Sequence, residues 1–321
     1  EYLFNFMIGF DLNNISKSAG IDLINNPDIQ SVIIPLPSTK TQKEIVQKIE
    51  AQDLANSGWD YTSSTSKITL SFWVRASVTA KYFGWLITND GTQRNHPFVI
   101  SDSNGSGTNL TANTWTKITK TIPGNSNIQF DNDNGSGLGL WIYAYFGSDY
   151  TNNKTLDTWA PFDSSNYMPT MATTWLTAGA STWDVTGFQL EVGDTATSFE
   201  HLSFADDLRR CQRYFHIIKT GSGEDRYIAL LQAYASDRCH GKYFHFPVTM
   251  RTTPTTTLSG TLTPTNASGN FTSPFTSATF DRNTPEFVGS NNTSGSSGLS
   301  AGNAAGVALR QNSSISNSAE L

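Results

Sequence analysis

The sequence predicts an all-β protein of two domains, and three features of its composition lead to that expectation. Ser, Thr and Asn together make up about a third of the 321 residues, while charged residues are only 15%. Aromatic residues reach 12%, and each buried ring removes about 150–250 Å² from water, so short strands can still build a core. A domain usually takes about 150 residues. We therefore expect a jelly-roll β-sandwich, then a short helix and a second, smaller β-domain.

Alternating apolar and polar side chains mark the strands of the first domain, residues 46–200. The alternation has a period of two, which is typical of a strand with one buried face. It runs through four segments, at residues 68–75, 117–122, 138–146 and 185–192. Turns rich in Gly, Asn and Asp separate the segments, as expected for many short strands in a sandwich.

Residues 1–45 differ from the rest and form an N-terminal segment whose role the sequence leaves open, as an anchor or a fusion remnant. Near its end, Ile45 and Ile49 stand four residues apart, and Thr41 precedes Glu44 by three. This pattern indicates a short amphipathic helix with a capping box.

The second domain, residues 201–321, begins with a predicted helix at about residues 202–210. Ser203 suits the N-cap, and Asp206 and Asp207 would complement the helix dipole in the first turn. Strands are expected at about residues 211–218, 226–235 and 241–250. The tract that follows is rich in Ser, Thr, Gly and Asn, but Phe residues recur in it. We expect a loosely hydrophobic β-domain rather than a disordered tail.

Charge and motif content argue against several functions. The net charge of −6 gives no basic footprint, so no nucleic-acid partner is expected. No run of about 18 apolar residues occurs, so no membrane insertion is expected. GxSxG, HExxH and P-loop patterns are absent from the sequence. We expect a protein that is not an enzyme.

The two cysteines, Cys211 and Cys239, are too few for a disulfide scaffold, so reduced thiols are expected, with one bridge left open. Glycoside hydrolysis needs two carboxylates that face each other across a cleft. Glu191 and Glu200 do not lie in a predicted aromatic groove.

Four strings stand out by their order and spacing: ITLSFWVRAS (68–77), TANTWTKITKTIPG (111–124), VTGFQLEVGDTATSFEHLSFADDLRRCQRYF (185–215) and FPVTMRTTPT (246–255). Together they resemble a family of virion structural and tail-fibre-type proteins of tailed bacteriophages. The first module of that family is similar to jelly-roll carbohydrate-binding modules. The resemblance implies a strand, not a helix, from about residue 46, and we adopt the strand.

Three aromatic residues on one predicted strand are the leading candidates for glycan contact. Trp141, Tyr143 and Tyr145 take alternate positions, which lie about 6.5–7 Å apart on one face of a strand. Such a spacing suits stacking of rings on the apolar faces of successive sugars. The alternative is that this face packs beneath a loop or a neighbouring subunit.

Further candidates lie outside that strand. Trp73 and Arg75 would extend the platform from the polar side of another strand, and Trp59 would rim the groove from a loop. Asp131 and Asp133 offer oxygen ligands at alternate positions, as calcium loops do, although no bidentate Glu follows. By resemblance, Asp184 matches the place of a structural calcium in some sugar-binding jelly rolls. No cofactor other than such a calcium is expected.

The resemblance implies a phage virion structural protein, from a tail fibre or related appendage, that binds host-surface glycans during attachment. Such a protein would assemble in the host cytoplasm, contact other virion proteins and be exposed on the particle. A homo-oligomer is expected, with a trimer as the usual fibre form. The alternative is a capsid decoration or tail-assembly protein with no glycan ligand. A glycan depolymerase would require the missing carboxylate pair.

Overall fold

The structure is a computed structural model that describes residues 3–5, 44–103, 107–172, 174–266, 268–275, 277–294 and 298–320. The chain divides into two compact units, Glu1–Leu202 and Ser203–Glu320. Most of the N-terminal segment, residues 1–45, therefore lies outside the described residues. Both units consist mainly of antiparallel strands, which confirms the predicted all-β class.

The first unit contains a sheet of four antiparallel strands, which we call the first sheet. Its strands are β1 (Leu3–Asn5), β3 (Lys67–Ala76), β6 (Thr116–Pro123) and β9 (Trp183–Val192). They are ordered β1-β9-β3-β6, so that β3 lies between two long neighbours.

Five more strands of this unit form the second sheet. They are β2 (Glu44–Glu50), β4 (Tyr82–Thr88), β5 (Arg94–Ile100), β7 (Ser136–Tyr143) and β8 (Ala160–Pro161), ordered β2-β7-β4-β5-β8. Two short helices accompany them, α1 (Ala51–Ala55) and α2 (Thr174–Thr177).

One apolar core lies between the two sheets. Phe72 of β3 and Phe188 of β9 stack within the first sheet with ring centroids 4.9 Å apart. Tyr82 of β4 packs against Trp183 of β9 with ring centroids 4.5 Å apart, and this contact joins the two sheets. Rings in such contact add to the free energy gained by burying their area. The inner face of each sheet thus depends on the other for its burial.

The strands predicted by alternation are present, at Lys67–Ala76, Thr116–Pro123, Ser136–Tyr143 and Trp183–Val192. The strand adopted from about residue 46 is confirmed, and the helix that periodicity alone indicated around Ile45 is wrong. Residues Glu44–Glu50 form β2, which pairs with β7 along its length. The pairing supplies backbone hydrogen bonds and a buried face, and these outweigh a weak local preference for helix.

The β4–β5 hairpin has no counterpart in the sequence prediction. All seven residues of β4 are buried, so apolar side chains fill both faces and no alternation is visible. Gly84 within it is required by packing, because a Cβ there would lie 2.6 Å from Cζ of Phe98. The second sheet is therefore covered on both of its faces along β4.

The described residues of the second unit form nine strands in two antiparallel sheets. The three-stranded sheet is ordered β10-β18-β13, from β10 (Phe215–Lys219), β13 (Thr255–Ser259) and β18 (Ser314–Ser318). The six-stranded sheet is ordered β14-β17-β11-β12-β16-β15, from β11 (Arg226–Ala235), β12 (Arg238–His245), β14 (Leu262–Pro264), β15 (Ser277–Ala278), β16 (Phe287–Ser294) and β17 (Ala304–Leu309).

The predicted helix of the second unit is α3 (Phe204–Gln212). Ser203 is its N-cap, and the Ser203 hydroxyl accepts a hydrogen bond from the backbone N–H of Asp206, as the sequence predicted. Among the described residues, no helix is long and apolar enough to cross a membrane. Both cysteines, Cys211 on α3 and Cys239 in the core, are free thiols.

Arg251 connects three segments of the second unit. Its Nε donates to the backbone oxygen of Ala319 at 2.7 Å, and its Nη2 donates to that of Glu320 at 2.8 Å. Its backbone N–H donates to the oxygen of Arg213, while the N–H of Ala319 donates to the oxygen of Tyr214. The motifs CQRYF and FPVTMRTTPT are thus tied to the C-terminal residues by hydrogen bonds.

His96 of β5 is a buried titratable group in the first unit. It is 1% exposed, and the centroid of its ring lies 5.1 Å from that of the Trp159 ring. Burial, together with the positive charge of Lys120, lowers the pKa of His96 to about 4. Lys120 is itself buried and lies 3.9 Å from a carboxylate oxygen of Asp157.

His96 should make the first unit labile in acid. Its pKa in the unfolded chain is about 6.5, so between pH 6.5 and 4 the unfolded state binds a proton that the folded state excludes. We expect the free energy of unfolding to fall by about 3 kcal/mol over that range from this residue alone. Urea unfolding of wild type and His96→Leu at several pH values measures the difference. Equal pH dependence of the two proteins would contradict the assignment.

Candidate ligand-binding surface

The outer face of the first sheet carries polar side chains in rows across β6, β3 and β9. The strand register places three residues side by side in each row. The rows are Lys117–Trp73–Thr186, Thr119–Ser71–Gln189 and Thr121–Thr69–Glu191. Beyond the first of these rows, Arg75 pairs with Asp184, and Trp115 lies just before β6 begins.

A β-bulge at Gly187 sets which side chains of β9 reach this outer face. Ser71 pairs with Gln189 but Trp73 pairs with Thr186, so two residues of β9 oppose one of β3. Gly187 has a φ of +63°, a conformation that glycine adopts without strain. The bulge brings Asp184 to the same face as Gln189, although the two are an odd number of residues apart.

The segment 193–200 covers the half of the outer face that carries Gln189 and Glu191. The hydroxyl and the backbone N–H of Thr197 both donate to the carboxylate of Glu191. The side-chain amide of Gln189 donates to the Thr197 hydroxyl at 3.1 Å and accepts from the N–H of Glu200 at 2.8 Å. A carboxylate or amide can be buried at low cost only when it is hydrogen-bonded in this way. We call residues 193–200 the strap.

The other half of the face, beyond the strap, stays open to solvent. Trp73 is 40% exposed and Trp115 is 37% exposed. Phe199, at the end of the strap, is also exposed. Gly187 lies beside both rings, because a Cβ built on it would be 3.4 Å from the Trp73 ring and 3.9 Å from the Phe199 ring. Aromatic rings are thus presented to solvent on the outer face of the first sheet.

Arg75, two residues after Trp73 on β3, is held in place by Asp184. Its Nε and Nη2 lie 2.9 and 2.8 Å from the same carboxylate oxygen of Asp184. Its guanidinium carbon lies 5.0 Å from the centroid of the Trp115 ring, within the range of a cation–π contact. We call Trp73, Arg75, Trp115 and Asp184 the tryptophan surface.

The structure corrects the expectation for Tyr143. Trp141 and Tyr143 do point to the outer face of the second sheet, as alternation predicted. Yet Tyr143 is only 2% exposed, because the rings of Trp85 and Phe146 lie against it at 5.8 and 4.6 Å. Phe146 belongs to the segment after β7, so a loop covers this face. A ring enclosed in this way has no face left for a sugar.

Trp141, Tyr145 and Trp59 also differ from a regular platform. Trp141 is half-buried, and its ring packs edge-to-face on that of Trp85 with ring centroids 6.3 Å apart. Tyr145 lies beyond the end of β7 at Tyr143, so it does not continue the strand's alternation. Trp59 is 3% exposed and packs in the core, 6.1 Å from Phe130, so the expectation that it rims a groove is wrong.

The predicted calcium ligands are used within the protein. Asp133 accepts the backbone N–H of Gly135, and Asp131 accepts the side-chain amide of Gln129. Asp184, far from both in the sequence, is paired with Arg75. Among the described residues, no group of three or more His, Cys, Asp or Glu side chains could hold a metal ion. Calcium binding by Asp131, Asp133 or Asp184 stays a prediction.

The sequence prediction missed Trp115 and Phe199 as surface residues. Trp115 stands one residue before β6, so it was read only as part of a motif. Its position two residues before Lys117 gives the signal that could have placed it on the polar face. Nothing local in the sequence indicates that Phe199 reaches Gly187, since that contact depends on the path of the strap.

The tryptophan surface suits binding rather than covalent chemistry. It offers ring faces for stacking and a fixed planar donor for hydrogen bonds. The two thiols lie in the other unit, where burial raises the pKa of Cys211 and of Cys239 to about 11. Both therefore stay protonated near neutral pH and are poor nucleophiles.

Comparisons with known proteins add no relative to this geometry. No family model matches the chain, and no curated protein matches it. The surface has therefore to be interpreted from its own residues.

Truncating an aromatic side chain should separate core from surface in this unit. We expect Tyr143→Ala to lower the free energy of unfolding by about 3–5 kcal/mol, because it opens a cavity under Trp85 and Phe146. Trp73→Ala should cost only about 1–2 kcal/mol, since much of its ring already contacts water. Urea unfolding measures both values. A loss for Tyr143→Ala no larger than that for Trp73→Ala would contradict its burial.

Proposed function

We propose that the chain is a structural protein of a bacteriophage virion, part of a tail fibre or related appendage, and that its first unit binds host-surface glycans. The four strings that resemble phage structural proteins support the virion role. The observation that carries the glycan proposal is the tryptophan surface. This surface presents two exposed indole rings and a guanidinium that Asp184 holds in place.

The chemistry of sugars matches these groups. A pyranose ring has an apolar face of C–H groups that stacks on an indole, while its hydroxyls need hydrogen-bond partners at the rim. Trp115 stands one residue before β6 and two before Lys117, the partner of Trp73, which makes it a diagonal neighbour of Trp73, and such neighbours are about 7–8 Å apart. A glycan chain could therefore contact both rings at once without bending the protein.

We also propose that the first unit is a jelly roll. Its chain passes between the sheets from β2 to β3, from β3 to β4, from β5 to β6, from β6 to β7 and from β8 to β9. Repeated crossing of this kind is typical of Greek-key sandwiches, to which jelly rolls belong. The proposal agrees with the likeness of the first module to carbohydrate-binding modules.

A binding role without catalysis is proposed for the whole chain. Glu191 is occupied by the strap, and the thiols are protonated at neutral pH. Neither group is available as an acid, base or nucleophile. Calcium is not part of the proposal, because the aspartates predicted to bind it serve other contacts.

Assembly as a homo-oligomer, with a trimer as the expected form, fits the surface of the second unit. Leu230 is 72% exposed and Tyr227 is 58% exposed on the outward side of β11. Contiguous apolar surface of large area marks sites that another chain covers, and these two side chains would contribute to such a surface. Other virion proteins are the remaining partners we propose, on a particle whose exterior carries this chain.

The oligomeric state is directly measurable. Sedimentation of the full chain at micromolar concentration should give a species larger than a monomer, and Leu230→Glu should shift it toward the monomer because the charge would have to be buried. Asp149→Glu, which changes an exposed residue of the first unit, serves as the control. A stable monomer in the wild type would refute the assembly proposal.

The alternative function is a capsid decoration or tail-assembly protein with no glycan ligand. The burial of Tyr143 and Trp59 favours it, since rings that could have bound sugar pack inside the first unit instead. Under this alternative, the tryptophan surface would be covered by another virion protein.

Binding of the full chain to a glycan array and to host cells should distinguish the two. We expect Trp73→Ala and Trp115→Ala each to weaken binding about tenfold or more, which corresponds to about 1.4 kcal/mol. Tyr150→Ala is the matched control, because Tyr150 is an exposed ring over the other sheet. Loss of binding in the control alone would move the site to the second sheet.

Absence of binding in every format, from a folded protein, would reject glycan recognition and leave the assembly role. Near-UV circular dichroism of each variant shows whether the fold survives.

A further inference from the structure

We infer that the tryptophan surface selects a neutral glycan over an acidic one, with Arg75 serving as a fixed hydrogen-bond donor and not as a counter-ion. The inference rests on the proposed glycan binding and adds the chemical class of the sugar. It follows from the Arg75–Asp184 pair and from the charges around it.

The positive charge of Arg75 is already compensated. Two of its nitrogens contact one carboxylate oxygen of Asp184, whose side chain is only 5% exposed. A buried carboxylate that loses its partner is strongly destabilising. An acidic sugar that drew Arg75 away would have to meet that cost, so the arginine stays with Asp184.

The remaining charges near the surface also balance. Lys117 lies beside Trp73 in the row, and its ammonium donates a hydrogen bond to the backbone oxygen of Thr197 at 3.4 Å. Glu191 lies on the same outer face, two rows away, where the strap covers it. The charges of Arg75, Asp184, Lys117 and Glu191 sum to zero, in a chain of net charge −6. No local positive potential is left to attract an anionic polymer.

Arg75 keeps one donor edge for a ligand. Within the described part of the chain, its Nη1 has no hydrogen-bond partner, while Nε and Nη2 face Asp184. Nη1 carries two N–H groups in a fixed plane, and Asp184 prevents that plane from turning. Hydroxyl oxygens of a sugar stacked on Trp115 are suitable acceptors for these groups.

Wild-type binding tests the inference without any variant. Titration calorimetry of the full chain would compare neutral polymers (β-glucan, mannan, galactan) with uronic-acid polymers (alginate, polygalacturonate) at about 50 and 500 mM NaCl, where screening differs strongly. We expect binding to at least one neutral polymer, at least tenfold weaker binding to every acidic one, and less than a twofold change with salt for the neutral ligand.

A second experiment removes the negative charge of Asp184. Asp184→Asn should release Arg75 and give measurable binding to an acidic polymer, weakened severalfold at high salt. Asp149→Asn removes the same charge from an exposed site elsewhere in the unit and should give no such gain. A loss of fold in Asp184→Asn would leave the wild-type comparison to decide.

The outcomes separate the inference from the function beneath it. Wild-type binding to an acidic polymer that matches or exceeds neutral binding, or that is strongly salt-dependent, overturns the inference while glycan recognition stands. Binding to no polymer of either class rejects glycan recognition and the inference together. Neutral binding that survives Trp73→Ala and Trp115→Ala would place the ligand elsewhere and overturn the inference as well.

Discussion

Burial of polar side chains under the strap is the constraint on which the first unit depends. Gln189 and Glu191 lie on the outer face of a sheet, a position that normally faces water. The strap excludes that water, and Thr197 and Glu200 supply hydrogen bonds to Gln189 and Glu191 in place of those to water. If one of these bonds were missing, a buried carboxylate or amide would be left unsatisfied, at a cost of about 1–3 kcal/mol or more. The string LEVGDTATSFEH thus has a physical reason for its order: the residues that are covered and those that cover them follow one another.

The same constraint decides where a ligand can bind. The strap covers the end of the sheet near Glu191 and leaves the end near Asp184 open. The bulge at Gly187 lies between the two halves and keeps Asp184 on the outer face, where it meets Arg75. On the opposite sheet the loop after β7 closes over Trp85 and Tyr143. Of two faces that both carry tryptophan, one is used for packing and the other is presented to solvent.

Local patterns predicted much of this fold, and contacts distant in sequence account for the rest. Alternation located β3, β6, β7 and β9, and capping located α3. Alternation did not locate β4, because both of its faces are buried, nor β2, because pairing with β7 outweighs a helical spacing of its apolar residues. For the surface, alternation placed Trp73 and Arg75 on the polar side of their strand. It could not foresee that Asp184 would bind Arg75 or that Phe146 would cover Tyr143, since each contact depends on how separate segments meet.

The strap has a mechanical consequence as well. It is the last stretch of the first unit, so any pull that reaches this unit through the second must pass along residues 193–202. The hydrogen bonds to Glu191, Gln189 and Thr69 lie at that point of load. These hydrogen bonds would break before tension reached β9 and the core behind it, so the strap would detach first and β9 would stay paired. Force spectroscopy on the full chain would register it as a small rupture preceding the unfolding of the sheets.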